Sequence, residues 1–310
     1  MTRAAAVDLG TNTVRMLVAE RAGNGFSQVY SGQVITRLGE RLHVTGKLDP
    51  KAIKRTVDGV AGLLREAERF RPFELTIAAT SAARDASNTA ELDALLQKTA
   101  GVSLTVIPWE EEAHLALTGA ALAVGKEDGR FILFDVGGGS TEYILAEEGR
   151  AAASYGTNLG VVRLAETYIT KHPVEDAEYC RLVDEVETTV DMVFNNLPVR
   201  DVTLVGTAGT ITSIAAMDMN MVEYDPVRIN GYKLTADAVE SLRNKICSMT
   251  LEERSRIPSL KNGREDLIVP GFAILLATMQ AAGADHIIVS DYGLREGLVM
   301  KMLGGKTFSP

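Results

Sequence analysis

The sequence is poor in cysteine and histidine, and each shortage excludes a class of structure. Only Cys180 and Cys247 occur among 310 residues, without a Cys-x-x-Cys partner, so we expect neither a disulfide framework nor a thiolate metal site. The four histidines have no metal-ligand spacing. No apolar run reaches membrane-spanning length and nothing at the amino terminus resembles a signal peptide, which predicts a cytoplasmic protein without membrane contact.

An excess of positive charge is also absent. The formal net charge is −9 at pH 7, which argues against nucleic acid as a partner because such binders carry a basic surface. Three common motifs are missing: G-x-x-x-x-G-K-[S/T], G-x-G-x-x-G in a dinucleotide context, and H-E-x-x-H. An anionic ligand would therefore need locally concentrated donors.

The chain contains an internal repeat. Residues 7–20 align without gaps on residues 134–147, and each stretch reads as strand, tight polar turn and strand. A third strand is expected in each half, at 26–35 and 151–155. Duplication of a three-stranded unit is the economical explanation.

Helices and further strands follow each repeat. Asp49 and Pro50 begin a predicted helix, and Asn88-x-x-Glu91 reads as a capping box for the next. The remaining predictions are strands at 74–79, 103–107, 201–205 and 286–290, and helices at 110–124, 174–195, 210–217, 236–249 and 264–282. This alternation predicts an α/β fold of helix-flanked sheets, with ligands at the carboxyl ends of the strands.

The length of the chain favours two domains. We place the first at residues 1–124 and the second at 125–310, with the last helix free to pack back on the first domain. The most linker-like stretch is 125–130.

The turn of each repeat suits an anion. Backbone N–H groups of a glycine-rich turn can converge on phosphate, and hydroxyl groups add donors. Asp8 and Asp135, at the ends of the preceding strands, suit a hydrated Mg²⁺ or another divalent cation. A single loop of this kind reads equally well as a plain hairpin turn, but two matching loops favour the anion site. The expected donors are Asn12, Thr13, Gly137, Gly138, Gly139, Ser140 and Thr141.

Arg15 and Glu142 occupy equivalent positions in the two repeats. A guanidinium at Arg15 suits bidentate phosphate recognition, whereas Glu142 suits the orientation of water or metal. The alternative is that both are exposed strand residues.

Two more loops have phosphate-type chemistry. Arg84 and Asn88 follow the strand at 74–79, and simple cap chemistry explains Asn88 but not Arg84. A third loop contains Gly206, Thr207 and Gly209 before a helix, which is a weak motif taken alone.

The run Glu110-Glu111-Glu112 begins the helix at 110–124. An acidic first turn is favoured by the helix dipole, yet three carboxylates exceed that need. One of them could be a general base. Pattern alone does not choose which.

Several blocks together resemble the exopolyphosphatase/guanosine pentaphosphate phosphatase (Ppx/GppA) family. The blocks cover almost the whole chain in the family's order. They are residues 7–15, 79–88, 111–113, 135–142, 158–166, 206–210 and 290–297.

This resemblance implies two RNase H-like domains of the actin, sugar-kinase and Hsp70 superfold around an interdomain cleft. It implies that Glu112 is the general base, and that Asp8, Asp135 and Glu142 organise Mg²⁺ and the attacking water. It further implies phosphate donors at Asn12, Thr13, Arg15, Arg84 and the backbone of 137–141.

The implied activity is removal of terminal phosphates from polyphosphate or guanosine pentaphosphate, in a possible homodimer. The chain resembles the short form that lacks a C-terminal histidine-aspartate domain, so we expect a preference for shorter polyphosphates or for guanosine pentaphosphate. Two residues depart from the family pattern, His114 where relatives often carry Arg and Ala208 within a usual double glycine. The alternatives are a sensor that binds guanosine tetraphosphate, guanosine pentaphosphate or polyphosphate without turnover, and an ATP-using kinase or ATPase of the same superfold.

Overall fold

The computed structural model describes residues 3–71, 73–125, 129–197, 202–260 and 263–308. The chain divides into two compact units, one running up to Leu122 and resuming at Gly293, the other running from Ala123 to Tyr292. The linker-like stretch predicted at 125–130 falls partly on 126–128, outside the described residues. No helix in the described parts is long and apolar enough to cross a membrane.

Each unit is built on one mixed sheet. The first has the order β3-β2-β1-β4-β5 and the second the order β10-β11-β9-β6-β7-β8. In both, an antiparallel three-stranded meander continues into parallel strands, so the predicted duplication is confirmed. The strands are β1 (Arg3–Leu9), β2 (Thr13–Ala22), β3 (Gly25–Ile35), β4 (Glu74–Ala79), β5 (Thr105–Val106), β6 (Phe131–Val136), β7 (Thr141–Glu147), β8 (Arg150–Thr157), β9 (Thr203–Thr207), β10 (Lys233–Thr235) and β11 (His286–Val289).

Helices surround these sheets. They are α1 (Leu42–Thr45), α2 (Pro50–Ala67), α3 (Ser81–Asp85), α4 (Thr89–Ala100), α5 (Trp109–Val124), α6 (Val161–Tyr168), α7 (Asp176–Phe194), α8 (Ala208–Asp218), α9 (Pro226–Ile229), α10 (Ala236–Cys247), α11 (Leu251–Ser255), α12 (Ile268–Ala281) and α13 (Leu294–Met302). Short 3₁₀ helices span Glu68–Phe70 and Pro258–Leu260.

Helix α2 begins as its sequence predicts. The Asp49 side chain accepts hydrogen bonds from the backbone N–H groups of Lys51 and Ala52, and Pro50 takes the first helical position. Ile53 and Val57, one helical turn apart, are buried on its inner face.

The predicted capping box at α4 is wrong. Asn88 precedes the helix, but its side chain makes no capping bond. Its Oδ1 instead accepts from the Leu48 N–H at 2.8 Å, and its Nδ2 donates to the Leu48 carbonyl at 3.1 Å and to the Glu91 carboxylate at 3.3 Å. A contact between segments distant in sequence has replaced the local cap.

Two other predicted elements are shorter in the structure. The strand predicted at 103–107 is reduced to β5, and the helix predicted from 264 begins at Ile268, after a series of turns.

Both faces of the first sheet are covered. Alternate residues of β1 point to opposite faces, as a pleated strand requires. Ala5, Val7 and Leu9 join the core beneath α2 and α4, while Ala4 and Ala6 join the core beneath α13. The core of the second unit is one continuous cluster around β6, α7, α8 and α12.

Helices α5 and α13 meet at their backbones. A Cβ atom added at Gly297 would lie 1.9 Å from the Leu115 carbonyl oxygen, and one added at Gly119 would lie 2.1 Å from the Gly293 carbonyl oxygen. Only glycine permits this approach. The helix that begins with the acidic run is therefore held directly against the C-terminal helix.

Candidate active site

The turns of the two repeats are built alike. The Gly10 N–H donates to the Thr13 carbonyl at 3.1 Å, and the Gly137 N–H donates to the Ser140 carbonyl at 2.9 Å. A Cβ atom at either glycine would lie 3.1 Å from the accepting oxygen. Both turns therefore have the same backbone hydrogen bond closing a tight turn at the end of a strand.

The register of the strands places one charged pair beside each turn. Asp8 lies directly opposite Arg15, and Asp135 lies directly opposite Glu142. Opposed residues of antiparallel strands point to the same face. The first unit therefore has a carboxylate facing a guanidinium, whereas the second has two carboxylates facing each other.

Asp8 lies in an unusual electrostatic environment. Desolvation is the main cause that raises its pKa to about 7; Arg15 and Arg295 lower that pKa, and Glu112 and Glu296 raise it further. Four charged groups of the first unit thus converge on this carboxyl. This is the setting in which a proton or a cation is readily taken up.

The first turn also contains a polar atom without a partner. The Oδ1 atom of Asn12 is buried and has no hydrogen-bond partner among the residues that the structure describes. The backbone carbonyl of Asn12 accepts from the N–H groups of Thr36 and Arg37, at 2.9 and 3.0 Å. The segment after β3 therefore holds this turn in place.

Arg84 and Glu112 are brought together. The Arg84 Nη1 donates to the Glu112 Oε2 at 2.5 Å and to the Ile107 carbonyl at 3.1 Å, and both side chains are largely buried. Glu111 instead pairs with Lys301 at the surface, and Glu110 is exposed. Glu112 is the carboxylate of the acidic run that pairs with another predicted site residue, and its charge raises the pKa of Asp8.

Glu142 is nearly inaccessible, with 3% of its surface exposed, while Asp135 is half-buried. Like charges directly opposed on neighbouring strands are destabilising. The pair therefore suits a ligand that brings positive charge to this face.

The second turn is shaped by close approach rather than by unusual dihedral angles. None of the glycines at 137–139 is among the described residues with positive φ. A Cβ atom at Gly160, just before α6, would lie 2.1 Å from the Gly139 carbonyl carbon. Helix α6 then donates its first N–H groups, from Val161 and Val162, to the carbonyls of Gly137 and Gly138.

Some of the predicted phosphate donors form hydrogen bonds within the protein. The Thr141 hydroxyl is fully buried and donates to the Leu159 carbonyl at 2.5 Å, and the buried Thr207 hydroxyl donates to the Tyr292 carbonyl at 2.9 Å. The Gly206 carbonyl accepts from the Ser290 N–H. The donors left in these loops are backbone N–H groups and the half-buried Ser140.

Three further charged residues lie near these groups, and the sequence analysis predicted no functional role for them. Arg264 donates to the Gly209 carbonyl at 3.0 Å and to the Ser213 hydroxyl at 2.7 Å. Arg295 pairs with Glu296, which is 2% exposed and also accepts from the Gly293 N–H. Arg295 and Glu296 lie in the block at 290–297, one of the stretches that resemble the family, so the sequence did mark this region. It did not show that the two side chains are buried near Asp8.

The fold class follows from the order of the strands in each sheet, the duplication of the three-stranded unit and the two matching turns. Two mixed sheets with an antiparallel meander and added parallel strands are the RNase H-like units of the actin, sugar-kinase and Hsp70 superfold. The chain belongs to the Ppx/GppA phosphatase family, whose sequence profile matches residues 17–306.

Individual relatives agree with this assignment. Exopolyphosphatase 2 of Mycobacterium tuberculosis is 31% identical over 98% of this chain and 99% of its own length. The crystal structure of the Aquifex aeolicus Ppx/GppA family member has a TM-score of 0.80 at 31% identity, covering 98% of each chain. A solved exopolyphosphatase-like protein has a TM-score of 0.89 at 27% identity, covering 97% of each chain.

Proposed function

We propose that this chain is an exopolyphosphatase, which hydrolyses the terminal phosphoanhydride of inorganic polyphosphate and releases orthophosphate. The observation that carries the proposal is the ion pair between Glu112 and Arg84 in the electrostatic neighbourhood of Asp8. A carboxylate able to accept a proton is there in contact with a guanidinium able to hold a phosphate oxygen. Family membership and the exopolyphosphatase named above support the same reaction.

In the proposed reaction a water oxygen forms a bond to the terminal phosphorus while the anhydride P–O bond breaks. Glu112 accepts the proton of that water, and the shortened chain leaves with its own oxygen. Arg15, Arg84 and the N–H groups of the first turn hold the non-bridging oxygens, whose negative charge they stabilise. The N–H groups of the second turn stay predicted phosphate donors. A phosphate that attracts Arg84 competes with Glu112 for the guanidinium, and this leaves the carboxylate better able to bind water.

The residues present fit a divalent cation. The two facing carboxylates at Asp135 and Glu142 supply the oxygen ligands that Mg²⁺ prefers. Asp8, in the first unit, stays a predicted ligand. Among the described residues no three acidic, histidine or cysteine side chains form a closed metal cluster. When bound, the ion would neutralise charge on the phosphate oxygens.

We extend the proposal to guanosine pentaphosphate, because its 5′ end offers the same terminal phosphoanhydride. The N–H groups at the start of α8, around Gly209, are candidate contacts for a phosphate or a nucleoside. The domain limits at 1–124 and 125–310, homodimer formation and a cytoplasmic location stay predictions.

One assay tests the proposal. Phosphate release from polyphosphate, guanosine pentaphosphate and ATP is measured in parallel, with and without Mg²⁺. We expect release from polyphosphate that requires the ion. Binding of polyphosphate without release would show a sensor, and ATP turnover with transfer to an acceptor would show a kinase; either result overturns the proposal.

A further inference from the structure

We propose that residues 36–47, between β3 and α2, form a binding subsite for the inner phosphates of the polyphosphate chain, beyond the phosphate being cleaved. We name these residues the bridging segment. The inference rests on the proposed function and names where the rest of its polyanionic substrate binds.

The bridging segment lies across the carboxyl edge of the first sheet. At one end the Gly39 N–H donates to the Thr11 carbonyl at 2.8 Å, in the turn after β1. At the other end the Ser87 N–H donates to the Gly46 carbonyl at 3.1 Å, in the loop after β4. The segment thus contacts both loops of this unit that contain predicted phosphate donors.

The segment is firmly anchored. Leu38 and Leu42, together with Leu48 just beyond it, are buried in the core beneath α2 and α4. A Cβ atom at Gly39 would lie 2.3 Å from the Thr11 methyl carbon, so the backbone lies directly against the first turn. Between these anchors, Arg41, His43 and Lys47 are exposed and Arg37 is half-buried.

The charge of the segment is opposite to that of the whole protein. It contains three cationic side chains, Arg37, Arg41 and Lys47, and one carboxylate, Glu40. Arg55 of α2 pairs with that carboxylate at 2.9 Å. In a chain with a net charge of −9, this is a local concentration of positive charge at the edge where a polyanion is proposed to bind.

The backbone of both arginines is strained. Arg37 has φ of 50° and Arg41 has φ of 56°, in the left-handed region that is unfavourable for a non-glycine residue. Glycine would adopt the same turns without that cost. Strain at a defined position is common at ligand-binding sites. We infer that the arginine side chains contribute binding that glycine could not.

The test compares two substrates on two double variants. Arg37→Gln with Arg41→Gln removes two charges from the bridging segment. Arg65→Gln with Arg71→Gln removes two exposed charges at the far end of α2, a helix of 18 residues and therefore about 27 Å long. Steady-state kinetics are measured with tripolyphosphate and with long-chain polyphosphate.

We expect the segment variant to raise KM for long-chain polyphosphate roughly 10-fold, the loss of about 1.4 kcal/mol of binding. Its KM for tripolyphosphate should change much less, and kcat should be retained on both substrates. The control variant should leave the ratio of the two KM values unchanged. An equal rise for both substrates, or no rise for the long chain, overturns the subsite.

Equilibrium binding separates this inference from the proposed function. If the wild type binds long-chain polyphosphate without releasing phosphate, the enzymatic proposal fails and the dissociation constants of the two variants still decide the subsite. If the wild type does not bind long-chain polyphosphate, the subsite is overturned directly.

Discussion

Glu142 lies directly opposite Asp135 on the neighbouring strand, at the position that Arg15 occupies opposite Asp8. The same backbone register thus places opposite charges against each other in one unit and like charges against each other in the other. Because opposed like charges destabilise a strand pair, the second unit carries a repulsion that the first does not. The proposed cation would bring positive charge to this pair.

Glu142→Gln should therefore separate stability from activity. Loss of one charge should leave the melting temperature unchanged or higher, while phosphate release falls about 100-fold. The Mg²⁺ concentration for half-maximal activity should rise. Glu147→Gln, on the same strand and in a surface pair with Arg130, is the matched control and should behave as wild type. Unchanged Mg²⁺ dependence in Glu142→Gln would contradict the cation role.

Glu112→Gln should abolish most turnover without unfolding the protein. Removal of a general base costs roughly 10²–10⁴-fold in rate, and the amide keeps the shape of the carboxylate. The control is Glu111→Gln, the adjacent residue with a surface partner in Lys301, which should retain activity. kcat and circular dichroism are measured together. Near-wild-type kcat in Glu112→Gln would remove this residue from the mechanism.

Ala208→Gly should stabilise the second unit. Ala208 begins α8 with φ of 74°, so glycine relieves strain while it increases the freedom of the unfolded chain. The net gain in the free energy of unfolding should be about 0.5–1 kcal/mol. Ala177→Gly, at an exposed position of α7, should instead lose about 0.5 kcal/mol. Denaturant titration of both variants distinguishes strain relief from a general glycine effect.

Gly297→Ala should destabilise the first unit. The new Cβ atom would lie 1.9 Å from the Leu115 carbonyl oxygen, so α5 and α13 must separate, at a cost of about 1–3 kcal/mol. Gly62→Ala, within α2 and with nothing closer than 3.9 Å to its Cβ, should gain about 0.5–1 kcal/mol. Equal stability of the two variants in urea would show that the helices adjust freely.

The stability of the second unit should depend on His172 at acid pH. Desolvation and the neighbouring Arg254 charge lower the pKa of His172 below its usual 6.5, and Nδ1 is 3.0 Å from the Arg254 guanidinium, which can only donate. His172 therefore binds a proton more readily in the unfolded chain than in the folded chain. Stability contributed by neutral His172 is complete above pH 6.5 and is lost as pH falls through the folded pKa.

The measurement is the free energy of unfolding against pH. His172→Gln, whose amide can still accept from Arg254, should reduce the decline below pH 6.5. His43→Gln, at an exposed position of α1, should leave the decline unchanged. An identical pH dependence in His172→Gln and wild type would exclude this residue as the cause.

Local pattern was sufficient for much of the fold. Apolar, β-rich runs on either side of a polar turn predicted β1, β2, β6 and β7. The alignment of the two turns predicted that they would be built alike, as the matching hydrogen bonds of Gly10 and Gly137 show. The cap at Asp49 was predictable because its partners are two and three residues away. Such features depend on neighbours in sequence, so the sequence by itself determined them and the duplicated architecture that they imply.

Tertiary structure decided which polar groups meet. Arg84 and Glu112 are 28 residues apart, and pattern left three carboxylates open until packing placed one of them against the arginine. Glu296 was brought near Asp8 because glycine contacts hold α13 on α5. The Asn88 side chain bonds to the backbone of Leu48 instead of capping α4. The Thr141 hydroxyl donates to the Leu159 carbonyl instead of to a ligand. These outcomes depend on segments distant in the chain, whose competition for each donor and acceptor is settled only when the sheets and helices pack.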